Sequence, residues 1–92
     1  MIIALVLSMT RKEKLIKRFL TRPKDFTWDE LVVLLSIFQF SEVSTGKTGG
    51  SRRRFINSDG LVISLHKPHP RNLLKKYQIE QVIDILEEEG LI

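Results

Sequence analysis

The chain has 92 residues, 42% apolar and 28% charged, with a formal net charge of +4 and no cysteine. That length suits one domain built on one core, and the ordinary apolar and charged fractions point away from a disordered or membrane-embedded chain. Lack of cysteine excludes a disulfide framework, a thiolate metal site and a cysteine nucleophile, and suits a reducing cytoplasm.

The apolar start, Met1–Ser8, has no basic residue before it and no small-residue cleavage site after it, unlike a secretory signal. Eight residues are also too few for a bilayer span of ~20, so the segment reads as an added edge strand or as a start upstream of a natural one at Met9. Thr10 and Glu13 form an S/T-x-x-E capping box, after which Leu15, Ile16, Phe19 and Leu20 fall on one helical face ahead of Pro23. Thr27 and Glu30 repeat the box, with Phe26 and Leu31 at the two positions of a hydrophobic staple, which predicts a helix from Trp28 to about Phe38.

A strand is predicted around Phe40–Thr45, then a turn at Gly46-Lys47-Thr48-Gly49-Gly50. Its Gly-Lys-Thr triplet lacks the full P-loop spacing. Two alternating segments follow, Ser51–Asn57 and Leu61–Leu65, joined by Ser58-Asp59-Gly60, which suits a three-residue hairpin loop with glycine at the left-handed position. That loop sets Phe55 opposite Ile63, Arg54 opposite Ser64 and Arg52 opposite His66. Phe55, Leu61, Ile63 and Leu65 then face the core, and Arg52, Arg54, Ser64 and His66 the other side of the sheet. Pro68 and Pro70 end the pairing. A last helix, about Tyr77–Glu89, carries Ile79, Val82, Ile83 and Leu86 as its apolar stripe, and Gly90 caps it. Trp28, Phe38, Phe40 and Tyr77 are read as core residues.

Charge comes in blocks: residues 9–24 hold seven Lys/Arg against one Glu, and residues 41–76 hold eight against two acids. Residues 25–40 and 77–92 carry acids and no base. Two basic segments can present a surface to phosphates. On it we place Lys47, Ser51, Arg52, Arg53, Arg54, Lys67, Arg71, Lys75 and Lys76, because guanidinium grips phosphate bidentately and glycine-loop N–H groups also face anions. His66 and His69 are the only histidines, so any histidine-based acid–base chemistry rests on them. No metal site is expected.

Taken over Thr27–Ile92, the order helix, three strands, helix resembles the HicA family of toxin–antitoxin ribonucleases. Glu30–Leu35 resembles the family's leading helix, Gly50-Ser51-Arg52-Arg53-Arg54-Phe55 its Gly-Ser-His-His-x-Phe signature, and Pro68-His69-Pro70 its His-Pro element. Leu74-Lys75-Lys76 and Gln78–Leu91 complete the comparison, and residues 1–26 lie outside it as an extension with its own helix. The resemblance implies an α+β, double-stranded-RNA-binding-like α-β-β-β-α fold in which a three-stranded antiparallel sheet packs on helices. It also implies a cytoplasmic, metal-independent endoribonuclease that cuts messenger RNA without a cofactor and is silenced by an acidic HicB-type antitoxin. Arg52 and Arg53 stand where the signature has histidines. A guanidinium can clamp phosphate but cannot act as a general base, so the catalytic role does not transfer to position 52. The alternative is a non-catalytic RNA-binding module derived from the same fold.

Overall fold

The computed structural model describes residues 9–43 and 51–92, so the Met1–Ser8 segment, the glycine-rich turn with Lys47, and the predicted strand beyond Val43 lie outside the described residues. Among the described residues the element order is α1 (Arg11–Leu20), α2 (Trp28–Ile37), β1 (Ser41–Val43), β2 (Arg52–Ile56), β3 (Val62–His66) and α3 (Lys76–Glu88). The strands form an antiparallel sheet in the order β1-β2-β3. The fold is α+β in the predicted order, and none of these helices is long and apolar enough to cross a membrane.

Each helix begins and ends for a local reason. Thr10 Oγ1 accepts the Glu13 N–H at 3.2 Å to start α1. At α2 the capping box is complete: Thr27 Oγ1 accepts the Glu30 N–H at 3.1 Å, and Glu30 Oε1 accepts the Thr27 N–H at 2.9 Å. The staple residues Phe26 and Leu31 are both fully buried. All three helices stop at a residue in the left-handed region, Arg22 (φ 55°), Gln39 (φ 69°) and Gly90 (φ 69°). After α2 and α3 the geometry is a Schellman motif: the Phe40 N–H reaches the Leu35 carbonyl at 2.9 Å, and the Leu91 N–H reaches that of Leu86 at 2.8 Å.

The hairpin has the predicted register, with Arg52 opposite His66, Arg54 opposite Ser64 and Phe55 opposite Ile63. Its loop is held by Asn57, whose Oδ1 accepts the N–H groups of Asp59 at 3.0 Å and Leu61 at 2.9 Å, while Gly60 takes φ 83°. Phe55, Ile63 and Leu65 pack under α2 and α3 with Trp28, Leu31, Leu34, Leu35, Ile79, Val82, Ile83 and Leu86. Trp28 and Phe55 meet with ring centroids 5.5 Å apart. On the opposite face Arg52, Arg54, Val62 and His66 are exposed.

The N-terminal helix is tied into this core. Phe19 is buried against Phe26, with centroids 4.9 Å apart. Above them Arg18 donates to Asp25 Oδ1 at 2.9 Å and Glu30 Oε2 at 2.8 Å, with its guanidinium 5.0 Å from the Phe26 centroid. Residues 72–74 return beside this junction: the Trp28 N–H donates to the Asn72 carbonyl at 2.9 Å and the Leu74 N–H to that of Phe26 at 2.8 Å.

The aromatic reading needs one correction. Trp28 and Phe40 are buried and Phe38 is half-buried, but Tyr77 is 62% exposed. The reason is helical phase: Tyr77 precedes Ile79 by two positions, about 200° around the helix and off the buried stripe. In addition, α3 starts one residue earlier than predicted.

Candidate functional site

The end of β3, the start of α3 and the proline segment between them meet in one place. The hairpin pairing ends where the Lys67 N–H donates to the Ser51 carbonyl at 2.7 Å, and Pro68 and Pro70 then turn the chain away, with a cis bond between His69 and Pro70. Gln78 fixes the junction from below. Its side chain is buried, its Nε2 donates to the His66 carbonyl at 2.7 Å, and its Oε1 accepts the Lys75 N–H at 3.1 Å. One amide therefore joins the last residue of β3 to the residue preceding α3.

Two depressions open around this junction. The smaller, about 220 Å³, is lined by Ser51, His66, Lys67, Pro68, His69, Lys75, Tyr77 and Gln78. The larger, about 440 Å³, is lined by Ser51, Arg53, Lys67, Pro68, His69, Pro70 and Asn72. Both histidines line the smaller one, and no acidic side chain lines either. A concave surface with lysines, an arginine, two imidazoles and no carboxylate suits an anionic ligand. His66 Nδ1 lies 3.3 Å from Ser51 Oγ. If the ring donates through Nδ1, its Nε2 lone pair is free to accept a proton.

The residues of the basic surface fall into separate groups. Arg52 and Arg54 are exposed on the sheet face opposite the core, on the same side as His66 and Ser64. Arg53, opposite Leu65, points to the other side, half-buried, with its Nε 3.3 Å from Glu42 Oε2. Strand alternation thus splits the arginine triplet: Arg53 faces the larger depression, and its neighbours face outward. Ser51, Lys67, Lys75 and His69 join the depressions. Arg71 is exposed beside Asn72 and lines neither, Lys76 faces away from both, and Lys47 lies outside the described residues.

Tyr77 and Gln78 line the smaller depression, and sequence reasoning missed both. With the helix start placed at Tyr77, Gln78 fell outside the N3 position where a Gln side chain reaches back to an N-cap N–H. Lys75, the true N-cap, is not a capping residue type and gave no signal.

Compared with known proteins, residues 28–90 match the profile of a family described as the HicA toxin of bacterial toxin–antitoxin systems. No curated protein and no solved structure matches the chain.

Proposed function

Because the chain belongs to the HicA toxin family, whose profile covers residues 28–90 of its 92, its function is of the toxin–antitoxin ribonuclease type, and we propose that it cuts messenger RNA without a metal, using His66 as general base. The observation that carries this reading is that His66 and His69 line one depression with Lys67 and Lys75 and no carboxylate. His66 Nε2 takes the proton of a ribose 2′-hydroxyl, and the 2′-oxygen attacks the adjoining phosphorus. The bond to the 5′-oxygen breaks, and His69 gives that oxygen its proton. The products are a 2′,3′-cyclic phosphate and a free 5′-hydroxyl, and exchange with water restores both imidazoles. Lys67 and Lys75 balance the charge that builds on the phosphate oxygens, and Arg52 and Arg54 hold the flanking backbone. Exposed Tyr77 offers its ring to a nucleobase beside the scissile bond. An acidic antitoxin would silence the toxin by covering the same cations.

The experiment is RNA cleavage by purified protein. Among the described residues no group of three or more His, Asp or Glu is placed to hold a metal ion, so cutting should continue in EDTA and leave cyclic-phosphate ends. His66→Gln should abolish cutting while RNA affinity stays within a few-fold. Wild-type protein that binds RNA yet yields no products, and does not arrest growth when expressed, would leave the binding module as the function.

A further inference from the structure

The N-terminal extension lies outside the family match and has no role in the chemistry above, yet it carries one of the chain's two basic blocks. Of its cations, Arg18 is consumed internally by Asp25 and Glu30. That pairing, with Phe19 buried against Phe26, fixes the α1–α2 connection to the domain. What this connection presents is a third depression, about 390 Å³, lined by Thr21, Arg22, Pro23, Lys24, Leu74 and Lys76. Three of those six residues are cations and none is an acid. Arg22 also donates to the Leu20 carbonyl at 2.9 Å, and Lys76 stands 4.0 Å from Glu80, a loose exposed pair that leaves its charge available.

The cleft shares a wall with the histidine depression. Along the chain, Leu74 and Lys76 line the extension cleft while Lys75 and Tyr77 line the histidine side, so residues 74–77 form a ridge between them. A strand lying across this ridge passes from Lys75 to Lys76 and reaches Lys24 and Arg22 without meeting a lining carboxylate.

We propose that Arg22, Lys24 and Lys76 form a second phosphate-binding subsite, through which the N-terminal extension holds the RNA strand on the far side of the ridge from the cleavage site. The proposal rests on the reading of RNA as substrate. RNA is favoured over an acidic protein because the cleft adjoins the proposed cleavage depression across one ridge, where a continuous phosphodiester chain engages both.

The test measures binding of a fluorescent 2′-O-methyl 20-mer, which cannot be cut, to the full chain at several salt concentrations. Arg22→Glu/Lys24→Glu should weaken binding about tenfold near 100 mM salt and reduce the salt slope by about 1.4, at about 0.7 per lost single-strand contact. Because Arg22 also closes the end of α1, Lys24→Gln/Lys76→Gln provides a second variant that spares that hydrogen bond and should give the same slope change. Unchanged affinity and slope in both variants, while Arg52→Ala/Arg54→Ala weakens binding, would overturn the subsite and leave the RNA reading intact. In that event the extension cleft faces something other than nucleic acid. Failure of the wild-type chain to bind the 20-mer even at low salt would overturn both.

Discussion

Replacing Gln78 with methionine tests whether the site hangs on one buried amide. The side chain is 2% exposed and makes two hydrogen bonds, at 2.7 Å to the His66 carbonyl and 3.1 Å to the Lys75 N–H. Methionine nearly conserves the volume, so little of the effect comes from a cavity. What is lost is the pairing of two backbone groups, each costing about 1–3 kcal/mol if left unsatisfied. His66 and Lys75 are both exposed, so water can reach their backbone in part, and the low half of that range applies to each. The sum is about 2–4 kcal/mol, and a domain of this size loses about 4–8 °C in Tm per kcal/mol, so the melting midpoint should fall by roughly 8–30 °C. Thermal denaturation by circular dichroism measures it. At a temperature where the variant remains folded, RNA cleavage should still be lower than wild type, because β3 and α3 are no longer held in one geometry at His66. A midpoint within about 3 °C of wild type, with unchanged cleavage, would refute the claim that this amide positions the site.

Gln39 takes φ 69° where most helices use glycine, so Gln39→Gly should raise stability by about 0.5–1 kcal/mol, and Gly90→Ala at the matching position of α3 should lower it by about 1 kcal/mol, both read from urea unfolding midpoints. Arg18→Met should cost about 1 kcal/mol, because its partner Asp25 is largely exposed and Glu30 partly so, and the loss should shrink in high salt; a salt-independent loss would assign the effect to packing on Phe26. In the His66→Gln background, Arg52→His should leave cutting abolished, because position 52 does not line the depression that holds His69, Lys67 and Lys75; recovery of cleavage in that double variant would refute a base role specific to position 66.

What was legible in the sequence was local. Thr27 with Glu30, and Phe26 with Leu31, mark the start of α2 within a few residues of one another, and Asp59-Gly60 sets the hairpin register because turn length fixes which residues face each other. Once the register is set, alternation decides the faces, and Phe55, Ile63 and Leu65 go inward. The same alternation assigns Arg53 to the side away from Arg52 and Arg54, although a run of three arginines reads at first as one basic patch. What was not legible depends on contacts between distant segments. The Gln78 bond to His66 spans twelve residues, and nothing near Gln78 in sequence signals it. The Arg18 clamp also spans twelve residues to Glu30, and turns a cation that reads as solvated surface into a fastening for α1.

The resemblance sets Arg52 at a signature histidine, and the hairpin register sets Arg52 opposite His66. Residues directly opposite on neighbouring antiparallel strands hold their Cβ atoms about 4.5–5.5 Å apart on the same face. Arg52 and His66 are such a pair, so the position where the family signature has histidine still has an imidazole as its nearest cross-strand neighbour. On the proposed reading the general base sits on β3, one strand over from the position that resembles the signature histidine, and a permanent cation stands at that position. On β3 the His66 ring has a hydroxyl, Ser51 Oγ, 3.3 Å from Nδ1, and its backbone carbonyl is held by Gln78. In the proposed mechanism Arg52 on β2 holds the flanking backbone while His66 on β3 takes the 2′-hydroxyl proton, so the two strands divide the binding and proton-transfer roles that cleavage requires.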